Sequence, residues 1–528
     1  MDRKELGVGR ETVRNFSSMF TGTIASIIIS LFIYVAVARM LGPANYGVYT
    51  FAFGFGSLAI GLFGGFGVGN YLIKGITEAR HERDGEKLAA VVSSGYTVIL
   101  SITTALLVIG ILISSSVAAL TLNSNVEYMF LIVAVVAVFF GIFEAVSENA
   151  LVGFGRAKLA VATMLVSDSV QLVLSIGLIL MGYGVAGALV GLLANNISGF
   201  LMATYFLRKE MKRHGSGKLR FVGISEIKKT VAFAAPVGMK NMVSTGMSNF
   251  AIVLLGIYVT RSVLGDYGVA MNGFGFIAAF YGNVTHVMLQ SFTNARKSKR
   301  RSDLNKAYGL ILKYSLMLVL PIFVYMAVFA NPGVYLIYSH SYTFAPLYLS
   351  LIAAGVFINT ISIYIATLYI SRGKTAKVLR YSIISAAIQL LALLAIVPRF
   401  GPIGSIAVLF VLGSVINDVL YIRGAAQDLR FSVRRSRVYR VILVNIALGF
   451  IIAPVFLINN SVAVMVAGAA MLLLIYPILL ALSRAIDRGD AARLRRFAHE
   501  LRWIGKSIVL FIRYTDFFVV RIWGSDAV

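Results

Sequence analysis

Runs of about twenty apolar residues recur along the chain from Phe16 to Leu482, and no other feature restricts its folding so strongly. A helix rising 1.5 Å per residue needs roughly 20 such residues to cross a hydrocarbon layer. Scanning at that length places about fourteen crossings, near 16–38, 48–73, 88–114, 126–147, 159–181, 184–207, 231–259, 268–293, 308–330, 345–371, 378–398, 403–422, 441–458 and 461–482. The expected fold class is therefore an all-α polytopic membrane protein. Composition agrees, with 59% hydrophobic and only 13% charged residues, against about 25% charged in an ordinary soluble domain. A soluble enzyme, a disordered chain and a secreted disulfide scaffold are excluded as readings of the whole chain. There is no cysteine, so thiolate chemistry and disulfides are excluded too. The five histidines (His81, His214, His286, His340, His499) are scattered and do not suggest zinc. The first run leads into Arg39-Met40-Leu41-Gly42-Pro43, not into a small-residue cleavage site, and is expected to stay as a first span.

The positive charge tests the map. The formal net charge is +26, and its placement between apolar runs points to anionic lipid headgroups at the cytoplasmic face, not to nucleic acid. With the N-terminus inside, the cytoplasmic segments hold 43 of the 48 Lys and Arg residues, and the outer loops hold Arg39, Arg261 and Arg399. Lys240 and Lys313 fall within spans. Such asymmetry predicts a plasma-membrane protein with both termini cytoplasmic. All outer loops are short and offer no external catalytic domain. Beyond span 14, Leu494, Phe497, Leu501, Ile504, Ile508 and Phe511 form one apolar stripe with arginines off it, which predicts an interfacial amphipathic helix.

The chain also repeats itself. Arg39, Leu41-Gly42, Tyr46-Gly47-Val48 and Phe53-Gly54-Phe55 are matched by Arg261, Leu264-Gly265, Tyr267-Gly268-Val269 and Phe274-Gly275-Phe276. Gly155–Lys158 matches Gly373–Lys377, Gln171 matches Gln389, and Gly184–Gly187 matches Gly401–Gly404. The offsets run from 217 to 222 residues. Spans 1–6 and 7–12 are thus expected to be two parallel six-helix lobes, with a site between them. The expected division is 1–207 and 231–424 for the lobes, 208–230 for a basic linker, 425–483 for spans 13–14 and 484–528 for the tail.

The segment Ala38-Arg39-Met-Leu-Gly-Pro-Ala-Asn-Tyr-Gly-Val-Tyr-Thr-Phe-Ala, with Phe66-Gly-Val-Gly and Leu72-Ile-Lys-Gly, resembles the opening of polysaccharide-biosynthesis flippases. These belong to the multidrug/oligosaccharidyl-lipid/polysaccharide exporter superfamily, beside lipid II flippases and MATE drug exporters. The resemblance implies two six-helix lobes with an added helix pair. It also implies transfer of an undecaprenyl- or dolichyl-linked oligosaccharide to the outer leaflet. The implied partner is a polyprenyl-diphosphate-linked oligosaccharide, with glycosyltransferases or a polymerase in the same process.

Ionisable groups inside spans are functional candidates by default. Lys240 lies near mid-depth in span 7, beside Asn241, where it would contact a diphosphate or form a structural ion pair. Asp168 lies at similar depth in span 5, as a partner for Lys240 or as a site for a coupling H⁺ or Na⁺. Glu144 and Glu148 share a face of span 4, with Glu148 nearer the interface. Asp418 stands near the inner end of span 12, placed to snorkel or to cap. Arg39 and Arg261 occupy equivalent outer positions, as receivers of the diphosphate or as headgroup contacts. His286, Asn283 and Gln290 line one face of span 8, as cavity wall or helix–helix contact. No GxxxxGK[ST] loop occurs, so neither cofactor nor ATP hydrolysis is expected, and no enzyme motif is present. The function expected is a flippase working by alternating access. The alternatives are a MATE-like cation-coupled exporter, and a non-transporting scaffold or glycosyltransferase of surface-polymer synthesis.

Overall fold

The computed structural model describes residues 3–61, 67–121, 127–215, 222–295, 301–428, 438–456, 462–486, 514–515, 517–518 and 521. The amphipathic stripe from Leu494 to Phe511 lies outside them. Among the described residues there is no strand. The helices are α1 (Arg3–Gly56), α2 (Val68–Glu82), α3 (Gly85–Thr121), α4 (Tyr128–Gly153), α5 (Ala157–Leu178), α6 (Gly184–Arg213), α7 (Ile224–Tyr258) and α8 (Arg261–Ala295). They continue with α9 (Arg301–Val328), α10 (Ala330–Ile337), α11 (Ala345–Ser371), α12 (Thr375–Ile406), α13 (Gly413–Asp428), α14 (Val438–Phe456) and α15 (Val462–Leu482). The described part of each expected crossing falls on this helical chain.

Some continuous helices hold two crossings. The stretches Ala157–Arg213 and Thr375–Asp428 run to 57 and 54 residues, about twice what one crossing needs. Each is broken at a glycine: Gly184 has φ 51 and ψ −125, and Gly401 has φ 53 and ψ −134. An L side chain is disfavoured in that region, so glycine permits the reversal. Past Gly184 the helices run antiparallel, with Gly187 against Leu178 and Gly191 against Ser175. In α1 the break is Gly42, at φ 68, followed by Pro43.

The repeat is visible in the backbone. Gly155 and Gly373 sit at φ 72 and 74, where they close α4 and α11. Gly155 N–H donates to the Val152 carbonyl (2.8 Å) and Arg156 N–H to that of Leu151 (2.9 Å). Gly373 N–H donates to Ile370 (2.9 Å) and Lys374 N–H to Tyr369 (3.0 Å), the same closure 218 residues on.

The described chain divides into two compact units, Met1–Asn272 with Ser382–Ser405, and Gly273–Tyr381 with Ile406–Val528. In the first, α6 packs along α4 and α5, and α1 lies on α5. Glu210, at the end of α6, is buried (1% exposed) beneath two arginines. Arg213 donates to its Oε1 at 2.7 Å, and Arg156 Nε stands 3.1 Å from Oε2 without hydrogen-bond geometry. In the second unit Asp428 ends α13 under Lys377 (2.5 Å) and the Tyr369 hydroxyl (3.1 Å). Glu210 and Asp428 are also 218 apart, so each half carries an acid at this position, held by cations near the preceding turn.

In the second unit α14 and α15 pack on α9. Pro321 lies inside α9 and has no N–H to give the carbonyl of Met317. Tyr476 on α15 donates its hydroxyl to that carbonyl at 2.9 Å, and Asn445 on α14 donates to the Tyr476 oxygen at 3.3 Å. Tyr325 donates to the Met465 carbonyl at 2.9 Å, and the ring of Phe329 fills the space that Gly468 leaves.

Candidate functional site

Four helices of the first unit bring polar groups together in an apolar bundle. Asp168 stands midway along α5. Ser26 of α1 donates to its Oδ2 at 2.5 Å, and Asn195 of α6 donates Nδ2–H to its Oδ1 at 3.3 Å. The preceding residue, Ser167, donates to Oε1 of Glu144 on α4 at 3.0 Å. Glu144 and Asn195 are each 8% exposed and Ser167 is 2% exposed, so the Glu144 end of the cluster is enclosed, while Asp168 is half-buried. Gly199 of α6 lies directly over the Glu144 carboxylate, and a Cβ there would strike Oε1. One helical turn from Glu144, the Oε1 of Glu148 is buried and has no hydrogen-bond partner among the described residues.

The donors to these carboxylates are neutral, and among the described residues no Lys or Arg is paired with Asp168 or Glu144. A buried carboxylate without a counter-charge is costly, so it takes up a proton or binds a cation. The hydroxyl, amide and carboxylate oxygens supply ligands suited to a hard monovalent ion. The arrangement therefore sets two carboxylates among hydroxyl and amide neighbours inside the bundle.

The expected groups fall out unevenly. Asp168 and Glu144 come together through the adjacent serine–aspartate pair. Lys240 and Asn241 lie on α7 and His286, Asn283 and Gln290 on α8, but their side chains, and with them the Lys240–Asp168 contact, lie outside the described residues. Arg39 is exposed beside the α1 break. Arg261 opens α8, and its guanidinium forks onto Glu127. Asp418 accepts the backbone N–H of Ser362 in α11 at 3.1 Å, a contact within the helix packing. Sequence carries no signal for Ser26, whereas the Asn195-Asn196 pair is a visible polar interruption of span 6. Lys313 lies within a span and is 3% exposed.

The profile of the family described as polysaccharide biosynthesis protein matches residues 36–346, more than half of the chain. The chain belongs to that family. Its fold is similar to that of a solved lipid II flippase MurJ in an inward closed conformation. That likeness has a TM-score of 0.72 and 18% identity, covering 88% of this chain and 98% of that one. It is also similar to an inward-facing multidrug resistance MATE family transporter of the MOP superfamily, with TM-score 0.55, 19% identity, and 79% and 94% of the two chains covered. A solved MATE multidrug transporter, DinF-BH, aligns at TM-score 0.55 and 18% identity over 79% and 95%. No curated protein matches the chain. The chain is thus a multi-pass helical membrane protein of the polysaccharide-biosynthesis family, and its fold is the one expected from its opening motif.

Proposed function

We propose that the protein flips a polyprenyl-diphosphate-linked oligosaccharide across the plasma membrane by alternating access. The observation that carries this reading is the polysaccharide-biosynthesis family match over 36–346, joined to a flippase-like fold over 88% of the chain. A diphosphate crossing hydrocarbon needs fixed positive charge in a wet cavity. Lys240 is the proposed contact, with Asn241 and His286 beside it on the path. The repeat halves 1–207 and 231–424 are the bodies that rock, and the charge asymmetry favours both termini in the cytoplasm. Arg39 and Arg261 are the proposed phosphate contacts at the far end, where Arg261 exchanges Glu127 for a phosphate. Asp168 and Glu144 are the proposed coupling site for H⁺ or Na⁺.

A second reading is favoured by that carboxylate cluster: a MATE-like exporter would load a cation there and expel a cationic molecule. Sealed vesicles separate the two. With a fluorescent prenyl-diphosphate oligosaccharide inside, wild type should move it between leaflets, and Lys240→Ala should not. If neither protein moves the lipid but a cationic dye leaves under an ion gradient, the exporter reading replaces the flippase.

A further inference from the structure

In the first unit the opening of the second repeat lies against the first. Arg261 donates from both terminal nitrogens to the two oxygens of Glu127, each at 2.8 Å. The pair joins the N-cap of α4 to the first residue of α8, 134 positions apart. It sits at a rim, with the side chains 44% and 15% exposed. Behind it α1 and α8 meet backbone to backbone. A Cβ at Gly47 would strike the carbonyl oxygen of Arg261, one at Gly265 would strike that of Pro43, and one at Gly268 would strike the hydroxyl of Thr50. Tyr46 and Tyr267 are fully buried there, and Asn272 donates to the Tyr46 hydroxyl at 2.5 Å.

We propose that the Arg261–Glu127 fork is a latch that holds this α1–α8 seam shut and parts each time the protein opens toward the end carrying Arg39 and Arg261. The proposal rests on the alternating-access reading. The glycine-lined interior of the seam is held by close contact and by neutral hydrogen bonds such as Asn272 to Tyr46. The rim pair is ionic, and both its charges stay close to solvent when they separate. Arg261 also stands at a helix N-terminus, where positive charge is disfavoured, and the Glu127 carboxylate offsets this. The two-pronged geometry sets the register of α8 against α4, as a single-point ammonium contact would not.

The chain has no cysteine, so one introduced thiol reports one position. Thr50 is 9% exposed against Gly268, and Thr50→Cys places the reporter inside the seam. The full-length protein in sealed vesicles would be treated with a membrane-impermeant maleimide from the Arg39 side. Adding Glu127→Gln should raise the labelling rate by about threefold or more, the shift expected from losing one partly exposed ion pair. Arg261→Lys should fall between, and the reversal Glu127→Arg with Arg261→Glu should return the rate toward that of Thr50→Cys alone. Gel filtration of each variant confirms folding. Equal rates with and without Glu127→Gln overturn the latch and leave the flippase reading intact. A thiol that reacts only after denaturation, in every variant, overturns both.

Discussion

The hydroxyl of Tyr476 occupies the carbonyl oxygen of Met317 that Pro321 leaves without a helical donor. The last helix pair is thereby fastened to α9 at the point where α9's own ladder is interrupted. In hydrocarbon no water is at hand to replace that bond. Tyr476→Phe should keep the packing and lose the donor, lowering stability by about 1–3 kcal/mol, the cost of an unsatisfied buried acceptor. Thermal unfolding in detergent checks this, and an unchanged midpoint would show that Met317 finds another donor.

Glu210 and Asp428 make parallel contacts of unequal burial. Glu210 is 1% exposed and Asp428 23%. Glu210→Gln should destabilise by about 1–2 kcal/mol, held below the fully buried case because Arg156 and Arg213 are half exposed and regain water. Asp428→Asn should cost about half as much or less, for the same reason. The comparison needs only the two melting curves.

Gly199 is the position over the Glu144 carboxylate. Gly199→Ala should displace that carboxylate and reduce gradient-driven transport by at least about tenfold, as Glu144→Gln should, since about 1.4 kcal/mol at the site suffices for that factor. Gly177 on α5 has nothing within 4 Å of a Cβ. Gly177→Ala should leave transport as it is. Equal activity in all three variants would remove Glu144 from the coupling step.

Gly184 and Gly401 hold nearly the same unusual backbone angles in the two halves. Alanine at either should cost about 1–3 kcal/mol, because the L side chain must be forced into a region it avoids. Expression and melting of Gly184→Ala and Gly401→Ala should fall together. Gly177→Ala, in ordinary helix, should be neutral or gain up to about 1 kcal/mol.

The amino-acid sequence by itself determined the crossings and the repeat. A bilayer demands runs of a set length, and the runs are written in consecutive residues, as at 345–371 and 461–482. The repeat was legible because its markers are glycines at Gly155, Gly184, Gly373 and Gly401, where the backbone takes angles that other residues resist. The acidic candidates Asp168 and Glu144 were legible too, since charge within an apolar run stands out. Their surroundings were decided only by the tertiary structure. Ser26 reaches Asp168 from 142 residues away, and Glu127 meets Arg261 from 134. Tyr476 finds Met317 across 159. Hydrogen bonds and ion pairs act over about 3 Å, and which groups come that close depends on how helices lie side by side. Periodicity marks an apolar face, but packing chooses the neighbour that completes each polar group on it.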